Sequence, residues 1–156
     1  MGLRLTIPVS FIEIRVLVHA TEDTGKVLEA LQNILGEEVS KEVEFIQEKL
    51  EGHYSNPITL VKAKVYSKSQ ARKILQNIFS KLEELDRQKL WNEVEEKVDE
   101  DGNFYLRFDK QEAYLGRFKL TNADPVRIQV KLAIPRKQKD KIVEVFKQLI
   151  LPTNQK

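Results

Sequence analysis

From Phe11 to Val18, apolar and polar side chains alternate. Ile12, Ile14, Val16 and Val18 fall on one face, and Phe11, Glu13, Arg15 and Leu17 fall on the other. A period of two marks a half-buried strand. Beyond His19 the period changes: Val27, Leu28, Leu31, Ile34 and Leu35 recur at helical spacing. Thr21 is a plausible N-cap there, Glu22 and Asp23 suit a first helical turn, and Gly36 is a natural stop.

Residues 42–51 and 58–66 read as two further strands. The second sets Thr59, Val61, Ala63 and Val65 against Leu60, Lys62, Lys64 and Tyr66. Ser67 then caps a helix with the stripe Ala71, Ile74, Leu75, Ile78, Phe79 and Leu82, and a second helix over about 86–97 carries Leu90, Trp91 and Val94. Trp91 and Phe79 sit at core spacing. The run Asp99-Glu100-Asp101-Gly102-Asn103 lacks the glycine position of a calcium loop and reads as a turn. Phe104, Leu106 and Phe108 form the apolar side of a strand whose other side carries Tyr105 and Arg107. Asp109 with Glu112 resembles a capping box opening a short helix to about Leu115. Asn122-Ala123-Asp124-Pro125 is turn chemistry. Val126, Ile128, Val130, Leu132 and Ile134 then alternate against Arg127, Gln129, Lys131 and Ala133, and a last helix holds Ile142, Val143, Phe146, Leu149 and Ile150.

The order β-α-β-β-α-α-β-α-β-α predicts an α+β fold: a mixed sheet of about five strands with helices packed on one face. With no repeat, linker or low-complexity segment, residues 1–156 are expected to form a single domain.

Composition narrows the chemistry. Hydrophobic residues at 41% supply a core, and 32% charged residues supply a wet surface. Absence of cysteine excludes disulfides, thiol catalysis and thiolate-held metals. The start of the chain is too short and interrupted for a signal peptide, and no apolar run approaches the ~20 residues of a membrane helix. A cytoplasmic protein with no membrane contact is expected. High charge without cysteine also suits a thermophile.

The net charge of +2 is unevenly spread. Residues 1–60 hold 5 basic and 10 acidic side chains, residues 61–103 hold 9 of each, and residues 104–156 hold 12 basic and 5 acidic. The C-terminal third can therefore attract a polyanion, helped by the run Arg136-Lys137-Gln138-Lys139-Asp140-Lys141. If the apolar strand faces pack under the helices, the opposite face collects Arg15, Lys62, Lys64, Tyr66, Tyr105, Arg107, Arg127, Gln129 and Lys131. Cations interleaved with tyrosines suit single-stranded nucleic acid, where the cations contact phosphates and the rings stack on bases.

The most conspicuous interruption is Glu51-Gly52-His53-Tyr54-Ser55-Asn56-Pro57, a hairpin connection carrying one of the two histidines. It reads either as a plain turn or as a corner of a binding surface. No phosphate loop, dinucleotide fingerprint, nucleophile elbow or two-histidine zinc helix occurs. A His19–His53 acid–base pair for RNA cleavage is the one catalytic alternative, and no enzyme, metal site or cofactor is expected.

Three separated segments carry a resemblance: Val18-His19-Ala20-Thr21-Glu22-Asp23, Glu51 to Ile58, and Asp101-Gly102-Asn103-Phe104-Tyr105-Leu106-Arg107-Phe108-Asp109-Lys110-Gln111. Together they resemble an archaeal family of small RNA-binding proteins described as predicted exosome subunits. The resemblance runs from about Phe11 to the last helix. It implies an α+β fold similar to the ribosomal protein that binds 5S RNA, and a role in RNA binding. It brings no catalytic residue.

A non-catalytic RNA-binding protein associated with RNA-processing or degrading machinery is therefore expected. Its partners would be RNA and, beside it, exosome or other RNA-processing proteins. Arg107, Lys110, Arg127, Lys131, Lys62 and Lys64 would contact phosphates, Tyr105 and Tyr66 would stack, and His53 and Asn56 would hydrogen-bond a sugar or base. The alternative is an adaptor that docks a protein through the acidic N-terminal third without touching RNA. Oligomeric state is not readable from the sequence.

Overall fold

The structure, a computed structural model, describes residues 8–51 and 56–151. His53, and with it most of the turn between residues 51 and 57, lies outside the described residues.

Five strands form one sheet in the order β2-β3-β1-β5-β4: β1 Val9–His19, β2 Ile46–Glu51, β3 Pro57–Val65, β4 Asn103–Phe108 and β5 Val126–Leu132. Every neighbouring pair is antiparallel, where a mixed sheet was anticipated. The long strand β1 takes the centre, with β3 and β5 both running against it. The helices are α1 Thr24–Leu35, α2 Glu37–Ser40, α3 Lys68–Lys81, α4 Glu84–Lys97, α5 Lys110–Tyr114 and α6 Lys139–Ile150, the last preceded by a 3-10 turn at Arg136–Gln138.

The alternation does what its period requires. Ile12, Ile14, Val16 and Val18 of β1 are buried, as are Val61, Ala63 and Val65 of β3. Phe104, Leu106 and Phe108 of β4 join them, with Val126, Ile128, Val130 and Leu132 of β5. The helices cover this face with Leu31, Ile34, Ile74, Leu75, Ile78, Leu90, Val94, Ile142 and Phe146. Each large aliphatic or aromatic side chain so placed stabilises the fold by about 1.5–3 kcal/mol. Phe104 stacks on Phe146 with centroids 4.1 Å apart, which docks α6 on β4. Trp91 packs at the core margin and donates from Nε1 to the Lys147 carbonyl at 3.2 Å. Among the described residues no polar side chain is fully buried, and no helix is long and apolar enough to cross a membrane.

Local chemistry moved some boundaries. Thr21 does not cap α1. Asp23 does, accepting from the Lys26 amide, because the Glu22 amide closes a turn onto the His19 carbonyl first. Asp109 caps α5 by accepting from the Glu112 amide at 2.9 Å, so half of the capping box forms. The other half is absent because the Asp109 amide donates to the Lys119 carbonyl at 2.9 Å, while the Glu112 carboxylate accepts from Arg117 Nε at 2.7 Å. Gly36 ends α1 at φ +93, a left-handed backbone that favours glycine. The extra one-turn helix α2 shortens the second strand to Ile46–Glu51. Because helices occupy only one side, the other face of the sheet is left open.

Candidate nucleic-acid interface

On the open face, the register joins side chains that the sequence keeps far apart. Lys62 of β3 lies opposite Arg15 of β1, Arg15 lies opposite Arg127 of β5, and Arg127 lies opposite Arg107 of β4. Four cations therefore form one row across four adjacent strands, spaced by ~4.8 Å per strand. Like charges directly opposite each other destabilise a sheet. Only part of this charge is answered internally. Lys62 pairs with Glu48 at 3.1 Å. Glu13 Oε1 lies 3.4 Å from Arg15 Nε and 3.5 Å from Arg127 Nη2. Arg107 has no carboxylate partner among the described residues; its guanidinium instead lies 5.5 Å from the Tyr105 ring centroid.

Arg15, placed on this face from its alternation but not counted among the expected contacts, is the centre of the row. Glu13 and Phe11 were missed as participants, although the same alternation puts them on this side. The signal lacking in the sequence was the cross-strand register.

Tyr105, expected as a stacking surface, lies between two arginines. Its ring is flanked by Arg127, 5.1 Å from the centroid, and by Arg107. Burial, then the Asp99 charge, pushes the phenol above its ordinary range, with Arg127 opposing, so the hydroxyl stays neutral near pH 7. The ring thus orients two guanidiniums by cation–π contact. Asp99 in turn has its carboxyl pushed up by burial but held below the ordinary carboxylate range by hydrogen bonds from Asn103 and Asp101, which fix the turn. Gly102 at φ +85 completes that turn, as read from the sequence.

Tyr66 is open, with 66% of its surface exposed beside Phe11, the centroids 6.3 Å apart and tilted. Lys64 lies between them, 4.2 Å from the Phe11 centroid and 5.6 Å from that of Tyr66. Lys131 shares the face, opposite Asn103 and Phe11, and its ammonium donates to the Asp101 carbonyl.

The rim holding the C-terminal ends of β1 and β4 and the start of β3 brings together described parts of the segments that carried the resemblance: residues 18–23, 57–58 and 108–111. Lys110 Nζ, only 10% exposed along its side chain, donates to the Leu17 carbonyl at 2.6 Å, Glu22 Oε1 at 2.9 Å and Asp124 Oδ2 at 2.9 Å. Asp124, at φ +47, also lies 3.1 Å from His19 Nε2. Lys110, expected to contact a phosphate, is thus engaged internally in this structure. Asn56 is exposed just before β3, where Pro57 pairs with Glu51. His19, Glu22 and Asp124 offer ligand atoms within 4.8 Å of one another. The Lys110 ammonium already supplies a positive charge to the two carboxylates, so these residues do not fit a metal ion.

A family model described as RNA binding matches residues 11–132. The chain belongs to this RNA-binding family. The match runs from β1 through β5 and so takes in all five strands and the whole cation row, leaving out the Arg136–Lys141 run. An RNA-binding protein of Pyrococcus abyssi, PAB1135, is 47% identical over 141 residues, covering 88% of this chain and 90% of the relative. The uncharacterised protein MJ0213 of Methanocaldococcus jannaschii is 34% identical over 86% of this chain and 93% of its own. Among solved structures, protein AF2318 of Archaeglobus fulgidus superposes with a TM-score of 0.78 at 29% identity, covering 90% of this chain and 99% of that one. Membership of an archaeal RNA-binding family, anticipated from the three segments, is thereby shown.

Proposed function

We propose that the protein binds single-stranded RNA on the open sheet face, with Lys62, Arg15, Arg127 and Arg107 contacting its phosphates. The observation that carries this reading is the register of the row: four cations face one another across three ladders, and two nearby carboxylates answer them only in part. A polyanion converts that repulsion into attraction. Lys64 and Lys131 extend the positive surface along β3 and β5, and Asn56, exposed just before β3, would hydrogen-bond a sugar or base. The protein acts without catalysis, alongside RNA-processing or degrading machinery of the exosome type.

Titration of a labelled single-stranded oligoribonucleotide across a salt series tests the reading. A log–log slope of about 2 to 3 is expected, from ~0.7 per phosphate contact and three or four contacts. Absence of binding at low salt, or binding that ignores salt, rejects it. Tyr66→Ala separates stacking from charge. It should weaken binding about fivefold to tenfold, within the ~1–3 kcal/mol range of base–aromatic stacking, while leaving the slope unaltered. A fall in slope would make Tyr66 a support for Lys64 instead.

A second reading rests on a separate observation. Leu17, Ile46 and Leu50 are exposed on the same face, toward the edge strand β2, with Leu60 opposite Leu17 and with Glu48 between Ile46 and Leu50. An aliphatic patch of this kind suits a protein partner, as an adaptor would need. Recovery of a partner from cells after nuclease treatment favours the adaptor, and its loss on nuclease treatment favours RNA.

A further inference from the structure

We propose that Glu13 Oε1 marks a seat for an RNA phosphate between Arg15 and Arg127, which the carboxylate fills while RNA is absent; the inference rests on the RNA-binding reading of this face. In register Glu13 lies opposite Lys64 and Gln129, one step outside the cation row. Its carboxylate nonetheless leans into the row, and the same oxygen serves both arginines, at 3.4 Å and 3.5 Å. Only 15% of its side chain is exposed, against 36% for Arg15 and 30% for Arg127.

The pairing answers one of the two positive charges without making the hydrogen bonds that guanidinium forks offer. Nε of Arg15 and Nε of Arg127 are both buried with no hydrogen-bond acceptor among the described residues. A buried donor left in that state is costly. A phosphodiester, like the carboxylate, has a single negative charge and two free oxygens. It is not tethered to β1, so it can turn one oxygen toward each guanidinium in charge-assisted hydrogen bonds. A phosphate entering between the arginines would therefore displace the Glu13 carboxylate toward water and supply one acceptor oxygen to each guanidinium. Glu13 keeps the two like-charged side chains placed until then, and it lowers affinity by competing for the seat.

A mere brace and a phosphate placeholder predict opposite signs. Glu13→Gln keeps the shape and removes the charge. For the placeholder, this variant binds a single-stranded oligoribonucleotide about tenfold more tightly at low salt, because no carboxylate competes with the phosphate for the seat. Unchanged or weaker binding by a folded Glu13→Gln protein overturns the proposal. If that variant does not fold, the wild-type protein decides. Titrated with inorganic phosphate, its Arg15 and Arg127 Nε–H resonances should shift together and saturably, and their failure to move overturns the seat. Arg107→Gln separates this inference from the reading beneath it. Should Arg107→Gln leave RNA binding intact, the face itself is misassigned; should it weaken binding while Glu13→Gln brings no gain, only the seat is rejected.

Discussion

Replacing Arg107 and Arg127 together with glutamine is expected to weaken single-stranded RNA binding about 100-fold at low salt, ~2.7 kcal/mol. It should also reduce the log–log salt slope by about 1.4, two phosphate contacts at ~0.7 each. The two side chains face each other across the β4–β5 ladder, and both lie against Tyr105. Glutamine keeps much of the aliphatic stem and removes the charge. Relief of the like-charge contact offsets the lost Glu13 and Tyr105 contacts, and Glu13 keeps Arg15 as a partner, so a melting temperature close to that of the wild type is expected. Loss of binding with retained stability is the signature sought. Loss of both would show that the arginines hold the sheet together, and retention of both would remove the face as the RNA site. Lys137→Gln with Lys139→Gln is the control. Those residues precede and open α6, outside the matched family region, and should change the affinity far less.

The strands were legible because their period is short and their apolar residues few in kind. Reading Ile12, Ile14, Val16 and Val18 as one face already placed Arg15 on the other, and the same step placed Lys62, Arg107 and Arg127. What alternation cannot supply is which residues stand opposite one another. That Arg15 meets both Lys62 and Arg127 depends on strand order and register, which are set by long-range packing. Side-chain direction escaped for a related reason. Tyr105 reads as a free ring until Arg127, twenty-two residues later in sequence, is laid beside it. Thr21 has the chemistry of a cap, and it lost that role to Asp23 because a turn on the His19 carbonyl delays the helix. The conspicuous turn at residues 51–57 drew attention by composition, and most of it lies outside the described residues.

Lys110 shows how far a residue's role can shift once its partners are known, and its removal gives the largest stability effect expected here. In sequence it is a lysine after a capping aspartate, well placed to reach a phosphate. In the structure its ammonium closes the rim. It ties the end of β1 through the Leu17 carbonyl, the β1–α1 turn through Glu22, and the turn before β5 through Asp124. Lys110→Ala would leave two carboxylates facing each other and a carbonyl without its donor. Removing one partner from a fully buried ion pair costs about 3–5 kcal/mol. Asp124 is 48% exposed and Glu22 29%, so water recovers part of that loss and about 2 kcal/mol is expected here. For a domain of this size that corresponds to a fall in melting temperature of roughly 4–8 °C. Lys110→Arg should recover part of it, because charge is kept while the tight three-oxygen geometry is not. Asp124→Asn in the Lys110→Ala background should recover part too, by removing the repulsion with Glu22. Calorimetry and RNA titration on the same variants decide between the two roles. A brace lowers the melting temperature and leaves the salt slope alone, whereas a phosphate contact lowers the slope by about 0.7 at unchanged stability.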